Sequence, residues 1–93
     1  MSNKNTTWRI LIQDEMDDHG DSFENVISSI ASMEGVSEWL DIEFYAGFGG
    51  KNGCSFTLWT KTRVYFPLCY DGLEWVGSVP RNPSNEITAH PGG

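Results

Sequence analysis

The chain has 93 residues, 39% apolar and 13% aromatic, with a formal net charge of −7. That is the length of one domain, and four Trp, three Tyr and five Phe supply enough ring area for a single core without metal or disulfide staples. The charge is lopsided: residues 1–43 carry ten acids against Lys4 and Arg9, a balance of −8, while residues 44–93 carry +1, which argues against direct nucleic-acid or anionic-membrane binding and for a basic partner.

No segment reaches the ~18 apolar residues of a membrane span. The opening MSNKNTTWRI has no apolar signal region, and two cysteines without one point to a reducing, cytoplasmic setting. Residues 1–7 are polar and expected to fray. Residues 8–13 (WRILIQ) read as a strand, with Trp8, Ile10 and Ile12 on one face. Residues 14–21 (DEMDDHGD) read as an acidic loop. Asp21 is the expected N-cap of a helix over 22–33, with Glu24 completing a capping box. Phe23, Val26, Ile27 and Ile30 would form its apolar stripe and Gly35 its C′ residue. The acids would then precede the helix and favour its dipole.

Residues 36–45 (VSEWLDIEFY) alternate from Leu40 onward. A half-buried strand is expected, with Leu40, Ile42 and Phe44 inward and Trp39, Asp41, Glu43 and Tyr45 outward. Residues 46–53 (AGFGGKNG) read as a glycine-rich loop bearing Phe48 and Lys51.

Residues 54–79 read as three antiparallel strands. Asp71-Gly72 is a two-residue hairpin signal, because both central positions need positive φ. It sets Tyr70 opposite Leu73, Leu68 opposite Trp75, Phe66 opposite Gly77 and Val64 opposite Val79. A turn at Lys61-Thr62 sets Trp59 opposite Val64 and Cys54 opposite Cys69. One face then gathers Trp59, Val64, Phe66, Leu68, Tyr70, Leu73, Trp75 and Val79, the expected core. The other, with Phe56, Leu58, Tyr65 and Val76, is apolar enough to be covered by the chain or to serve as a homodimer surface.

The expected fold is α+β, a two-layer sandwich with one helix on a largely antiparallel sheet of about five strands, ordered β-α-β-β-β-β. Residues 1–79 form the expected domain. Residues 80–93, with three prolines, form a tail docked, if anywhere, through Ile87.

No motif supports catalysis. Setting Gly20 at the sixth place of a calcium loop puts Val26 where a bidentate Glu is required. Cys54 and Cys69 lack zinc-ligand spacing and read as two reduced thiols. Gly50-Lys51 has Tyr45 where a Walker motif needs Gly, and Asn52 where it needs Ser or Thr. The dinucleotide fingerprint fails at Asn52 too. Asp41 and Glu43 share a strand face but have no histidine within reach. No enzyme, cofactor or metal is expected.

What remains is negative charge beside outward rings. Asp14, Glu15, Asp17, Asp18, Asp21, Asp41 and Glu43, with Trp39, Tyr45 and Phe48, are the candidate partner-binding residues, since aromatic anchors with charges are what interface hot spots use.

With its 93 residues, its DEMDDHGD run, its surplus of outward rings and no catalytic motif, the chain resembles the small acidic anti-defence proteins of phages and mobile elements, anti-CRISPR proteins among them. The resemblance is one of overall profile. It implies stoichiometric inhibition in the host cytoplasm, by occluding a basic surface that handles nucleic acid. Alternatives are an immunity protein or antitoxin that neutralises a nuclease toxin, and an oligomeric phage structural or assembly protein.

Overall fold

The computed structural model describes residues 5–32, 38–47 and 52–90. In chain order the elements are β1 (Asn5–Thr6), α1 (Trp8–His19), a 3-10 turn (Phe23–Asn25), β2 (Val26–Ala31), a second 3-10 turn (Trp39–Asp41), β3 (Phe44–Tyr45), β4 (Phe56–Thr60), β5 (Arg63–Tyr70) and β6 (Leu73–Pro80). Strands β1 and β3 pair antiparallel as a small clip, and the main antiparallel sheet has the order β2-β4-β5-β6. The fold is therefore α+β, as expected, with one helix and antiparallel pairing among the described residues, but the strands divide into sheets of two and four instead of one sheet of about five. The helix, however, comes from a different stretch.

Residues 8–13, expected as a strand, are the first half of α1, and the acids expected in a loop form its second half. Thr7 is extended at the N-cap, and its hydroxyl accepts from Ile10 N at 3.3 Å. Gly20 ends the helix in the left-handed region (φ 68°), its N–H donating to Met16 O; only glycine takes that conformation without strain. Trp8, Ile12 and Met16, four apart, make the buried stripe, and Leu11 packs beside it. That spacing fits a helix as well as Trp8-Ile10-Ile12 fits a strand, and a short apolar run does not separate the two. In the helix Ile10 turns outward, 54% exposed.

Of the helix expected over 22–33, Met33 lies outside the described residues, and the rest is replaced by the first 3-10 turn and β2. Val26, Ile27 and Ile30 are β-branched and sit more easily in a strand. Phe23 and Val26 pack against the core, whereas Ile27 and Ile30 are exposed. The pairing of β2 with β4 shifts register between Val26 and Ser28, a bulge at Ile27. Asp21 and Glu24 form no capping box: Glu24 is exposed and Asp21 is buried among hydroxyls. Gly35 lies outside the described residues. Of the strand expected over 36–45, residues 36 and 37 lie outside the described residues, and the rest gives the second 3-10 turn and β3. Leu40 and Phe44 face inward as expected, but Ile42 is exposed.

The double hairpin folds as read from Trp59 to Val79, but Cys54 precedes β4 and is not a ladder partner of Cys69 as expected. Asp71 (φ 53°) and Gly72 (φ 82°) both take positive φ. Tyr70 faces Leu73, Leu68 faces Trp75, Phe66 faces Gly77, Val64 faces Val79, and Trp59 faces Val64. Cys54 lies before β4, and both cysteines are free. Burial pushes the Cys54 thiol up, against a smaller downward pull from the Trp8 indole.

The core lies on the opposite face from the expected one. Helix α1 packs over Phe56, Leu58, Tyr65 and Val76, all buried, so these four are not available as a homodimer surface. Trp8 sits 4.8 Å from both Phe44 and Phe56, and Trp39 stacks on Phe56 at 5.1 Å. The same face buries Thr60, Arg63, Glu74 and Ser78. Each is satisfied: Glu74 accepts from the backbone of Asn52 and Gly53, tying down the loop before β4. Arg63 Nε donates to Ser78 Oγ at 2.9 Å, and its terminal nitrogens grip both oxygens of Glu86 at 2.9 and 3.1 Å.

The tail is thus pinned at Glu86, not at Ile87, which is 93% exposed. The bond from Arg63 holds the Glu86 carboxyl below the usual range. The clasp should therefore be complete above pH ~4.3, the ordinary glutamate value, and open as pH falls through the lower folded value. Arg63→Met is expected to free residues 81–90, with limited proteolysis trimming the tail several-fold faster while the sheet signal in circular dichroism persists. Equal trimming rates would show that Glu86 does not hold the tail.

Candidate functional site

The exposed side of α1 carries Arg9, Asp14, Asp17 and Asp18. Burial of Trp8, Ile12 and Met16 on one stripe forces Ile10, Asp14, Asp17 and Asp18 to the other. Positions three and four apart on a helix lie ~5–6 Å from one another, so Ile10, Asp14, Asp17 and Asp18 form one continuous patch. Gln13 Nε2 donates to Asp17 Oδ1 at 2.8 Å and orients it. None of the three aspartates makes an ion pair among the described residues.

Beside the patch is a shallow hollow lined by Arg9, Ile10, Gln13, Asp14 and Phe23. The Arg9 guanidinium lies 5.2 Å from the Phe23 ring centre. It also donates to both Asp41 oxygens, at 2.7 and 3.0 Å. That pairing holds the Asp41 carboxyl below its usual range. Asp41 is exposed, as expected, but its charge is matched. Glu43 and Tyr45 are also exposed, Tyr45 at 45%.

Other candidates belong to the interior. Trp39, expected outward, is 6% exposed against Phe56. Asp21 is 8% exposed. Its Oδ2 accepts from Thr60 Oγ1 at 2.7 Å and Tyr65 OH at 2.8 Å, and its Oδ1 from Ser22 N and Asn25 Nδ2, both at 2.9 Å. Burial alone would raise its pKa, but bonds from Thr60, Asn25, Tyr65 and Ser22 outweigh it and hold the carboxyl below the usual aspartate value. Tyr65 is pushed well above the ordinary phenol value, first by burial and then by this carboxylate. Glu15 is half-buried, accepting from Ser78 Oγ at 2.7 Å and lying 3.0 Å from His19 Nε2. Phe48 lies outside the described residues.

The structure therefore brings Asp14, Asp17 and Asp18 together and leaves Glu43 and Tyr45 exposed. It withdraws Asp21 and Trp39 and engages Glu15 and Asp41 with other side chains. Ile10, Gln13 and Phe23 were missed as members of the patch. A helical reading from Trp8 would have found the first two, since Ile10, Asp14 and Asp17 fall at i, i+4 and i+7.

The acids also sit at the wrong end of their helix. The first turn of α1 carries none, and Asp17 and Asp18 fall in its last turn. A helix C-terminus carries partial negative charge, so carboxylates there are disfavoured. The dipole explanation expected for them is reversed.

Among the described residues no helix is long and apolar enough to cross a membrane, and no three His, Cys, Asp or Glu side chains converge as a metal site. No family model, curated protein or solved structure matches the chain.

Proposed function

We propose that the chain is a small acidic binding protein, not an enzyme, that inhibits a basic, nucleic-acid-handling partner by steric and electrostatic occlusion in the host cytoplasm. This is the mode of action that the resemblance to anti-defence proteins implies. The observation that carries it is the outer face of α1, where Asp14, Asp17 and Asp18 lie exposed and without ion pairs among the described residues. Asp17 and Asp18 lie in the last turn and oppose the helix dipole. Lys and Arg that normally hold phosphates are their natural counterpart. Ile10 and Phe23 beside them offer apolar contact that lengthens residence once charge has steered the encounter.

The test uses the immobilised protein and host lysate at low and high salt. The parent is expected to retain a basic nucleic-acid-handling protein and to release it as salt rises. The variant with Asp14→Asn, Asp17→Asn and Asp18→Asn should bind at least ~10-fold more weakly, a loss of about 1.4 kcal/mol. It should also be at least as stable to urea as the parent, because unfavourable charge has been removed. Undiminished retention by the variant, or none by the parent, would reject the reading.

A further inference from the structure

The main sheet has a second face, on the side away from α1. Trp59, Val64, Phe66, Leu68, Trp75 and Val79 lie on it by register, opposite in sense to the buried Leu58, Tyr65 and Val76. None of the six belongs to the core packed under α1. All are half-buried.

We propose that this face is a homodimer interface, formed by a second copy of the chain packing sheet against sheet. The proposal does not depend on the reading of the acidic helix face. Three observations select a second copy as the occupant.

The first is charge. No residue on this face of the four strands is charged, although the chain carries −7. A basic partner or a nucleic acid finds no counterpart there, whereas an identical uncharged face does. The exposed acids of α1 lie on the far side of the sheet. With layers ~10 Å apart, two copies joined by this face hold their helices roughly 30 Å apart, several times the ~8–10 Å Debye length. The dimer therefore forms without bringing like charges together.

The second is shape. Gly77 lies opposite Phe66, and a Cβ there would come 2.8 Å from Leu68 Cδ1 and 3.1 Å from Phe66 Cε1. Both side chains lean over the glycine and level the middle of the face. A level apolar sheet is what aligned sheet packing requires, and a two-fold axis through it makes the contact self-complementary.

The third is size. Four strands ~4.8 Å apart and five to eight residues long present a footprint of roughly 400–500 Å² per copy. The pair then buries on the order of 1,000 Å², the lower bound of a specific interface. Thr88 and Ala89 of the tail border a hollow with Phe66, Leu68 and Trp75 at the β6 side, at the rim of this footprint.

A competing route to a dimer is pairing along the free edge of β2. Ser32 N donates to Ser55 O, so alternate residues Ala31 and Ser29 turn their N–H and C=O away from β4. Ser29→Pro removes the central outward N–H and keeps the pairing with β4, which makes it the control.

Sedimentation equilibrium decides. The full chain is expected to be dimeric at about 100 µM, since interfaces of this size bind weakly. Phe66→Glu sets a charge on an interior strand of the face and should weaken the dimer at least ~100-fold, with a parent-like circular dichroism spectrum. Leu68→Lys is the second variant, used if Phe66→Glu fails to fold, and should do the same. Ser29→Pro should leave the dimer within about 2-fold of the parent. A monomeric parent, a dimer that survives both charged variants, or one abolished by Ser29→Pro alone would overturn the proposal.

Discussion

Asp21→Ala is expected to lower the unfolding free energy by about 3–5 kcal/mol, a large share of the ~5–15 kcal/mol a domain holds. The carboxylate is the common acceptor for Thr60 Oγ1, Tyr65 OH, Ser22 N and Asn25 Nδ2. Tyr65 and Thr60 are both fully buried, so removing the acceptor leaves their hydroxyls without this partner and away from water. Asp21→Asn keeps one carbonyl oxygen and should lose less, about 1–2 kcal/mol. Urea midpoints at pH 7 measure both.

The pH dependence has a definite sign. The folded pKa of Asp21 lies below its ordinary value. Its contribution is therefore complete above the unfolded value of ~3.9 and is lost as pH falls through the folded one. The Asn variant should show a flatter stability profile below pH ~4. An alanine variant within about 1 kcal/mol of the parent would show that the hub is not structural.

Trp39→Ala is expected to destabilise by about 3–5 kcal/mol, the usual loss for a large ring removed from a core. The indole is 6% exposed and stacked 5.1 Å from Phe56, which in turn meets Trp8 at 4.8 Å. The alanine leaves a void against the Phe56 ring. A solvent-facing binding anchor would behave differently: truncation would weaken a partner and leave the urea midpoint within about 0.5 kcal/mol. Thermal or urea unfolding of the isolated chain separates the two roles.

The double hairpin was legible because its determinants are local. Asp71-Gly72 selects a turn with two positive φ angles, and a two-residue turn sets every cross-strand pair that follows. The acids at 14, 17 and 18 were legible as surface for a similar reason: uncompensated carboxylates do not enter a core in either secondary structure. Neither inference needed a neighbouring segment.

Residues 8–33 were not legible in this way. Trp8, Ile10 and Ile12 alternate like a strand, while Trp8, Ile12 and Met16 repeat like a helix; Phe23, Val26, Ile27 and Ile30 carry the reverse ambiguity. The choice falls to packing. Helix α1 finds a sheet face that accepts Trp8, Ile12 and Met16 together, and Val26–Ala31 finds the free side of β4. Each segment alone satisfies both periods, and only the partner surface tells them apart.

By itself the sequence determined the class of the fold, the register from Trp59 to Val79, and the acidic character of the first half. Only the tertiary structure decided which face of the sheet became the interior. A register assigns side chains to two sides without ranking them, and here both sides are apolar. The ranking turned on Thr60, Arg63, Glu74 and Ser78, polar residues that look solvent-facing in a sequence. Asp21, Glu86, Glu15 and the backbone at Asn52 and Gly53 meet their hydrogen-bonding groups, and a polar group enters a core at little penalty once its partners are in place. Those partners come from segments 21 to 63 residues distant, a separation that no local pattern can encode.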